Sequence, residues 1–377
     1  MSSAVWHPFT QHATEPVPPT IVRTDCAYVE TRDGKRILDA ISSWWVITHG
    51  HRHPKIMAAI REATETLDQV IFAGLSHEPA KQLAAALVDM TPAGLDWVFY
   101  SDSGSTSVEV ALKMALGFHR NNGFPRSRIV VVEDSYHGDT IGTMSVGARG
   151  VFNAAYEPLL FEVDIIPFPS AGHEQETLDA FERLARQYKV AALIIEPLVL
   201  GAGRMLMYPA QVLAELKRIA ERSGTLFIAD EVMTGWGRTG TMFACEQAGI
   251  APDILCTSKG LTGGSLPLAA TLATDAIFRA HFSTDRSRTF FHRPTRSLAR
   301  LHSRMSPSGT MSLWPSAWPP CRGCRRTRSR GSMGIRVSTM CARPVRLPRL
   351  TSASAMPAIS PRSAQGCAPS SSSAGCW

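Results

Sequence analysis

Lys259 stands in the run Asp253-Ile254-Leu255-Cys256-Thr257-Ser258-Lys259-Gly260, where a short apolar stretch with the pattern of a buried strand delivers one lysine into a glycine-bearing loop. An amine taken out of water loses proton affinity and gains nucleophilicity, so a lysine held this way can form a Schiff base. Upstream, Asp230 ends the apolar run Leu226 to Ala229. A carboxylate there could keep a pyridine nitrogen protonated in a dry pocket, or simply cap the next turn. Tyr136, with Gly138 beside it, follows the run Ile129 to Glu133 and could stack on a flat ring, or pack at a strand end with its hydroxyl bonded. Ser103-Gly104-Ser105 lies between an apolar run and a helical pattern, where free N–H groups and the helix dipole could receive a phosphate; an ordinary serine N-cap reads the same. A lone lysine after a strand is usually solvated. Phosphate turn, aromatic, acid and lysine in that order read together as a pyridoxal phosphate site.

Such groups need a scaffold that brings loops together. From about residue 55 to 280, short β-branched runs alternate with helical periods, which predicts an α/β domain with a mostly parallel sheet flanked by helices. Strands are predicted at Trp97 to Tyr100, Ile129 to Glu133, Ala191 to Glu196, Leu226 to Asp230 and Ile254 to Cys256. Val108, Ala111, Leu112, Ala115 and Leu116 fall on one predicted helix face. Ligands in such sheets sit beyond the carboxyl ends of the strands, and every residue above lies there. The N-terminal segment, 1–54, predicts a few short strands around Asp33-Gly34 and belongs to a smaller domain, with a helix starting near Pro54.

The charge is unevenly spread. The 377-residue chain carries a formal +7, yet residues 294–377 hold 13 Arg and no Lys, Asp or Glu, which leaves 26 basic against 32 acidic side chains before them. The body is therefore acidic, and no nucleic-acid partner is expected from it. After His292 the texture turns to Ser, Arg, Pro and Cys without periodicity. A basic disordered arm is one reading; out-of-frame translation of a GC-rich gene is the preferred one, given Trp314, Trp318, Trp377 and five of the eight cysteines there. Cys26, Cys245 and Cys256 make no disulfide framework, the N-terminus lacks a signal-like apolar run, and no stretch approaches membrane-span length. A soluble cytoplasmic protein is expected. His49, His51 and His53 alternate before Pro54 without an acidic or cysteine cluster, and Cys321 and Cys324 lack a second pair, so no metal is assigned.

From about residue 5 to 292 the sequence resembles the class III aminotransferases of the type I pyridoxal phosphate fold. The likeness is carried by Trp6-His7-Pro8-Phe9-Thr10, Ser42-Ser43-Trp44-Trp45 with His49-Gly50, SGSTSVEVALKMA from Ser103, YHGDT from Tyr136, EPLVLGAGRM from Glu196, IADEVMTGWGRTG from Ile228 and SKGLTGG from Ser258. The double Trp and the WHP start resemble the branch of that family acting in biotin synthesis. The resemblance implies a homodimer that uses pyridoxal phosphate to transaminate 8-amino-7-oxononanoate with S-adenosylmethionine as amino donor. It implies that Lys259 carries the cofactor, Gly104 and Ser105 hold its phosphate, Tyr136 stacks on the ring and touches substrate, Asp230 pairs with the ring nitrogen, and Trp44 lines the substrate pocket. Glu196 and Arg238 are expected nearby. Phe9 replaces a tyrosine frequent in the family and so removes a hydroxyl from the substrate side. A large cofactor-binding domain, 55–292, is then followed by an aberrant tail, 293–377, that lacks the family's Gly-Asn-Pro run and later Arg; Thr295 matches only by position. The C-terminal part of the small domain is accordingly missing.

Overall fold

A computed structural model of the chain describes residues 4–151 and 153–291. The expectations placed on the tail, with Thr295, Cys321 and Cys324, lie outside these residues. Near the N-terminus β1 (Ile21–Asp25), β2 (Tyr28–Thr31) and β3 (Arg36–Leu38) form an antiparallel three-stranded sheet. The β2–β3 turn uses Gly34 at φ 80°, a left-handed angle that glycine adopts without a Cβ penalty. Next comes α1 (Ser42–Trp45), a single left-handed turn. It is followed by α2 (Pro54–Thr64), whose proline at the first turn has no N–H to leave unsatisfied, and by α3 (Glu78–Met90).

The larger sheet is built from β4 (Trp97–Ser101), β5 (Arg128–Val132), β6 (Asp164–Ile166), β7 (Val190–Ile195), β10 (Leu226–Asp230), β11 (Ile254–Thr257) and β12 (Ala269–Ala273), in the order β4-β12-β11-β10-β7-β5-β6. Between β7 and β10 lies a two-residue ribbon, β8 (Val199–Leu200) with β9 (Leu206–Met207). All neighbours pair in parallel except β12, which runs against β11 and β4. The five predicted strands are present to within a residue or two at their ends. Sequence reasoning missed β6 and β12.

Alternation of side chains splits the core onto the two faces of this sheet. Val130, Val132, Leu193, Ile195 and Phe227 face α6 (Glu174–Gln187) and α7 (Ala210–Ser223), meeting Phe181, Leu213 and Leu216. Ile129, Val131, Ile194, Ile228 and Ile254 face α4 (Gly104–Asn121) and α8 (Asp275–His281), meeting Val108, Ala111, Leu112, Ala115 and Ile277. Strands buried on both sides read as continuous apolar runs, which is why their sequences were legible. Leu116 corrects the expectation of one apolar helix face, since it is 37% exposed at the margin of α4. The short α5 (Ile141–Ser145) is bound to α4 through Glu109, whose carboxylate accepts from Thr140 Oγ1 and Gly142 N.

Phe227 is fully buried on β10, so Phe227→Ala is expected to cost about 3–5 kcal/mol. Leu116→Ala should cost less than about 1 kcal/mol. Urea midpoints of the two variants check this contrast, and equal losses would refute the division of α4 into a buried and an outer face.

Candidate active site

Parallel register sets the site. Asp230 stands opposite Cys256, so the end of β10 and the loop after β11 emerge side by side, and Lys259 follows three residues later. Across β10, Ala229 pairs with Ile195 of β7, which puts Glu196 next to the same edge. Val131 of β5 pairs with Ile194, so Tyr136 and His137 emerge beside Glu196. On the other flank β4 leads into Ser103 and α4. Gly104, Ser105, Tyr136, Asp230 and Lys259, each predicted from sequence, line one cavity of about 300 Å³. Trp45, His137 and Glu196 line it with them.

At the head of α4, Ser103 Oγ accepts from Thr106 N (3.2 Å) and Ser103 O from Ser107 N (3.0 Å). The first-turn N–H groups of Gly104 and Ser105 are thereby left for a ligand at the positive end of an 18-residue helix. Small residues keep this corner open. A Cβ on Gly104 would lie 2.7 Å from Val232 Cγ1, and one on Gly138, at φ 130°, would lie 2.2 Å from Ser105 Oγ.

Asp230 is 4% exposed, and its Oδ1 accepts from Val232 N at 3.1 Å while Oδ2 accepts from His137 Nδ1 at 2.7 Å. His137 Nε2 is buried with no hydrogen-bond partner among the described residues. Glu196 receives Tyr136 N on Oε1 (3.0 Å) and Gly201 N on Oε2 (2.8 Å), stitching two loops together. Burial raises its carboxyl to about 7; His137 and the two N–H bonds work against that rise, and Asp230 adds to it. Lys259 moves the other way. Burial lowers its amine, Asp230 and Glu196 oppose the shift, and the Arg238 guanidinium reinforces it. The Tyr136 phenol is pushed up by burial and then by Asp139. Arg238 is itself anchored on carbonyls, Nε to Met233 O and Nη2 to Trp45 O, each at 2.8 Å.

The two remaining predicted residues stand apart from the cavity lining. Trp44 is 53% exposed and meets Phe9, 64% exposed, edge to face at 5.1 Å, while its neighbour Trp45 faces the cavity with its ring 5.9 Å from Lys259 Nζ. From sequence, His137 stands only within the YHGDT run and Glu196 is expected nearby without a role; a histidine directly after the aromatic residue is the signal for the first. A phosphate cradle, a buried acid steadied by an imidazole, an aromatic side chain and an amine with weakened proton affinity suit pyridoxal phosphate: its phosphate, ring nitrogen and aldehyde each find a counterpart, and its ring a face to stack on.

The class-III aminotransferase family model matches residues 9–303. The chain belongs to the class-III aminotransferase family. Its cofactor is pyridoxal phosphate, and it is similar to an amine transaminase from an uncultivated Pseudomonas species solved with that cofactor bound (TM-score 0.77, 30% identity, 84% of this chain and 75% of that one). Adenosylmethionine-8-amino-7-oxononanoate aminotransferase of Methanocaldococcus jannaschii superimposes with a TM-score of 0.78 at 33% identity, over 83% of this chain and 74% of that one. Curated relatives of the same name come from Synechococcus elongatus, 50% identical over 296 residues, and Nitratidesulfovibrio vulgaris, 44% identical over 308. The aligned part is 76% of this chain in both cases, and 70% and 56% of the relatives' own lengths.

Gly138→Ala is expected to weaken pyridoxal phosphate binding at least tenfold, because the added carbon needs both a left-handed backbone and the space of Ser105 Oγ. An absorbance titration with the cofactor measures it, and unchanged affinity would refute the cradle. Glu196 generates a pH prediction. With its carboxyl raised from 4.5 to about 7, the folded state keeps a proton that the unfolded state releases. Stability should therefore fall as pH rises through that interval, by roughly 3 kcal/mol in this single contribution. Comparing urea unfolding of the chain with Glu196→Gln from pH 4.5 to 7.5 isolates it; parallel curves would contradict it.

Proposed function

We propose that this enzyme transfers an amino group from S-adenosylmethionine to 8-amino-7-oxononanoate, giving 7,8-diaminononanoate in biotin synthesis. The observation that carries this reading is the 50% identity to a relative of that name, together with the WHP start and the double Trp of α1. Lys259 would hold the cofactor through Nζ, Gly104 and Ser105 its phosphate, and Asp230 the proton of its ring nitrogen. When bound, pyridoxal phosphate supplies a ring that withdraws electrons from the carbon bearing the amino group.

The chain's own residues do the rest. Lys259 Nζ, its proton affinity lowered by burial, takes a proton at the substrate carbon and returns one, a task suited to an amine poised nearer neutrality than a solvated lysine. Asp230 stays oriented because His137 and Val232 N occupy both its oxygens. Tyr136 orients the reacting groups from a loop that Glu196 pins. Trp45 excludes water above Lys259, while Trp44 and Phe9 shape the approach for substrate.

Residues 1–54 act in this reading as part of a smaller domain and 55–292 as the cofactor domain, in a cytoplasmic homodimer. The unpaired Cys26, Cys245 and Cys256 suit a reducing compartment, and among the described residues no helix is long and apolar enough to cross a membrane. Ile21, Val22, Ile37 and Leu38 are exposed on the three-stranded sheet, an apolar surface that calls for cover from the remainder of the fold. The 377-residue chain is therefore expected to turn over poorly. Fusing residues 1–292 to the corresponding C-terminal segment of the Synechococcus relative should raise transamination at least a hundredfold. Product formation from S-adenosylmethionine and 8-amino-7-oxononanoate measures it, with β-alanine and putrescine as rival donors. Full activity of the unfused chain would refute the need for that segment, and a preference for either rival donor would move the enzyme to another branch of the family.

A further inference from the structure

The α1 turn, Ser42–Trp45, carries the wall of the site in a conformation that its residues disfavour. Ser42, Ser43, Trp44 and Trp45 have φ of 49°, 48°, 59° and 63°, so four successive side-chain-bearing residues are left-handed. Each such residue is disfavoured by roughly 1–2 kcal/mol, and left-handed positions normally occur singly. Something nearby must impose the turn, and the contacts converge on one carboxylate. Asp39 Oδ1 accepts from Ser43 N at 3.0 Å, and Oδ2 accepts from Ser43 Oγ at 2.7 Å and from His51 Nε2 at 2.9 Å. The Asp39 and His51 side chains are only 10% and 11% exposed. His51 is fixed in turn by a two-way backbone bridge with Cys26, which ties it to the β1–β2 hairpin.

The turn also bears on the lysine loop. A Cβ on Gly264 would lie 2.5 Å from Ile47 Cδ1 and 3.0 Å from Val46 Cγ1, and one on Gly263 would lie 3.3 Å from His49 Nδ1. The backbone just past Lys259 thus rests directly on the segment that follows α1, and Trp45 completes the contact with its ring toward Lys259 Nζ. Burial works to raise the Asp39 carboxyl, yet the bonds from Ser43 and His51 together outweigh it and hold the group below its ordinary value. That balance describes an ionised hub, not an incidental surface acid.

We infer that Asp39, braced by His51, is a positioning residue whose carboxylate holds the left-handed α1 turn and so sets Trp45 as the substrate-side wall above Lys259. This inference rests on the reading of the cavity as the site where the amino substrates react, but its test needs no substrate.

Hydrogen exchange, followed by mass spectrometry on the full chain, compares Asp39→Ala, Asp39→Asn and the double variant Asp39→Ala/Ser42→Gly, alongside absorbance titration with pyridoxal phosphate. Asp39→Ala should speed exchange at residues 42–47 at least tenfold, leave residues 224–257 unchanged, and alter cofactor affinity less than threefold. Asp39→Asn, which can still accept from Ser43 N, should fall between the two. Glycine at position 42 carries no left-handed penalty, so the double variant should recover roughly fivefold of the lost protection. Unchanged exchange at 42–47 overturns the inference. So does loosening that spreads equally to 224–257 or shows no recovery with glycine, either of which makes Asp39 a general stabiliser and not the holder of this turn. These exchange results, with no transamination by the chain fused to the relative's C-terminal segment, would leave the positioning role standing while removing the proposed reaction.

Discussion

Burial of ionisable groups at one edge of a parallel sheet is the constraint on which the rest of this structure depends. Lys259, Asp230, Glu196 and His137 all emerge where β11, β10, β7 and β5 end, and each would be better hydrated elsewhere. Burial pushes the lysine toward its neutral form and the glutamate toward its protonated form, while the carboxylates oppose the lysine's shift. Removing ions from water is expensive, so the loops must supply compensating bonds. They do so specifically: His137 and Val232 N on Asp230, and Tyr136 N and Gly201 N on Glu196. The Lys259 amine keeps a net shift toward its neutral form, which suits the role proposed for it.

This arrangement explains why the core is so apolar beneath the site. Strands β5, β7, β10 and β11 are buried on both faces, and their rigid register fixes loops that share no contact in sequence. The partners His137 and Asp230 are 93 residues apart, and Tyr136 and Glu196 are 60 apart. A one-residue slip in any of these strands would turn the following loop's side chains away from the cavity. Stability of the sheet and geometry of the site are therefore the same property. The small N-terminal part is held differently, by hydrogen bonds around Asp39 and His51, with much apolar surface left open.

What could be read from the sequence follows from these physical differences. Doubly buried strands are continuous apolar runs, so β5, β7, β10 and β11 are legible, and Asp230 and Lys259 stand out as polar residues at or just after their ends. β12, Ala-Ala-Thr-Leu-Ala, is mostly alanine, which has little strand preference, and β6 is three residues long; neither gives a pattern. The antiparallel sense of β12 has no sequence signal at all. Left-handed α1 was hidden because none of its four residues is a glycine, the usual mark of that conformation. It matters for the site, since the turn leaves Trp44 beside Phe9 and brings Trp45 to the cavity. The pairings of His137 and Glu196 depend on strand order, which periodicity does not encode.

The central claim is that Lys259 is the residue to which the cofactor attaches. Treating the purified chain with pyridoxal phosphate, reducing it with borohydride and mapping the modified peptide by mass spectrometry addresses that claim without requiring turnover. A single stoichiometric adduct is expected on Lys259, formed far faster than on exposed lysines such as Lys35, because a desolvated amine is poised to react at neutral pH. Labelling spread over surface lysines, with Lys259 unmodified, would contradict it.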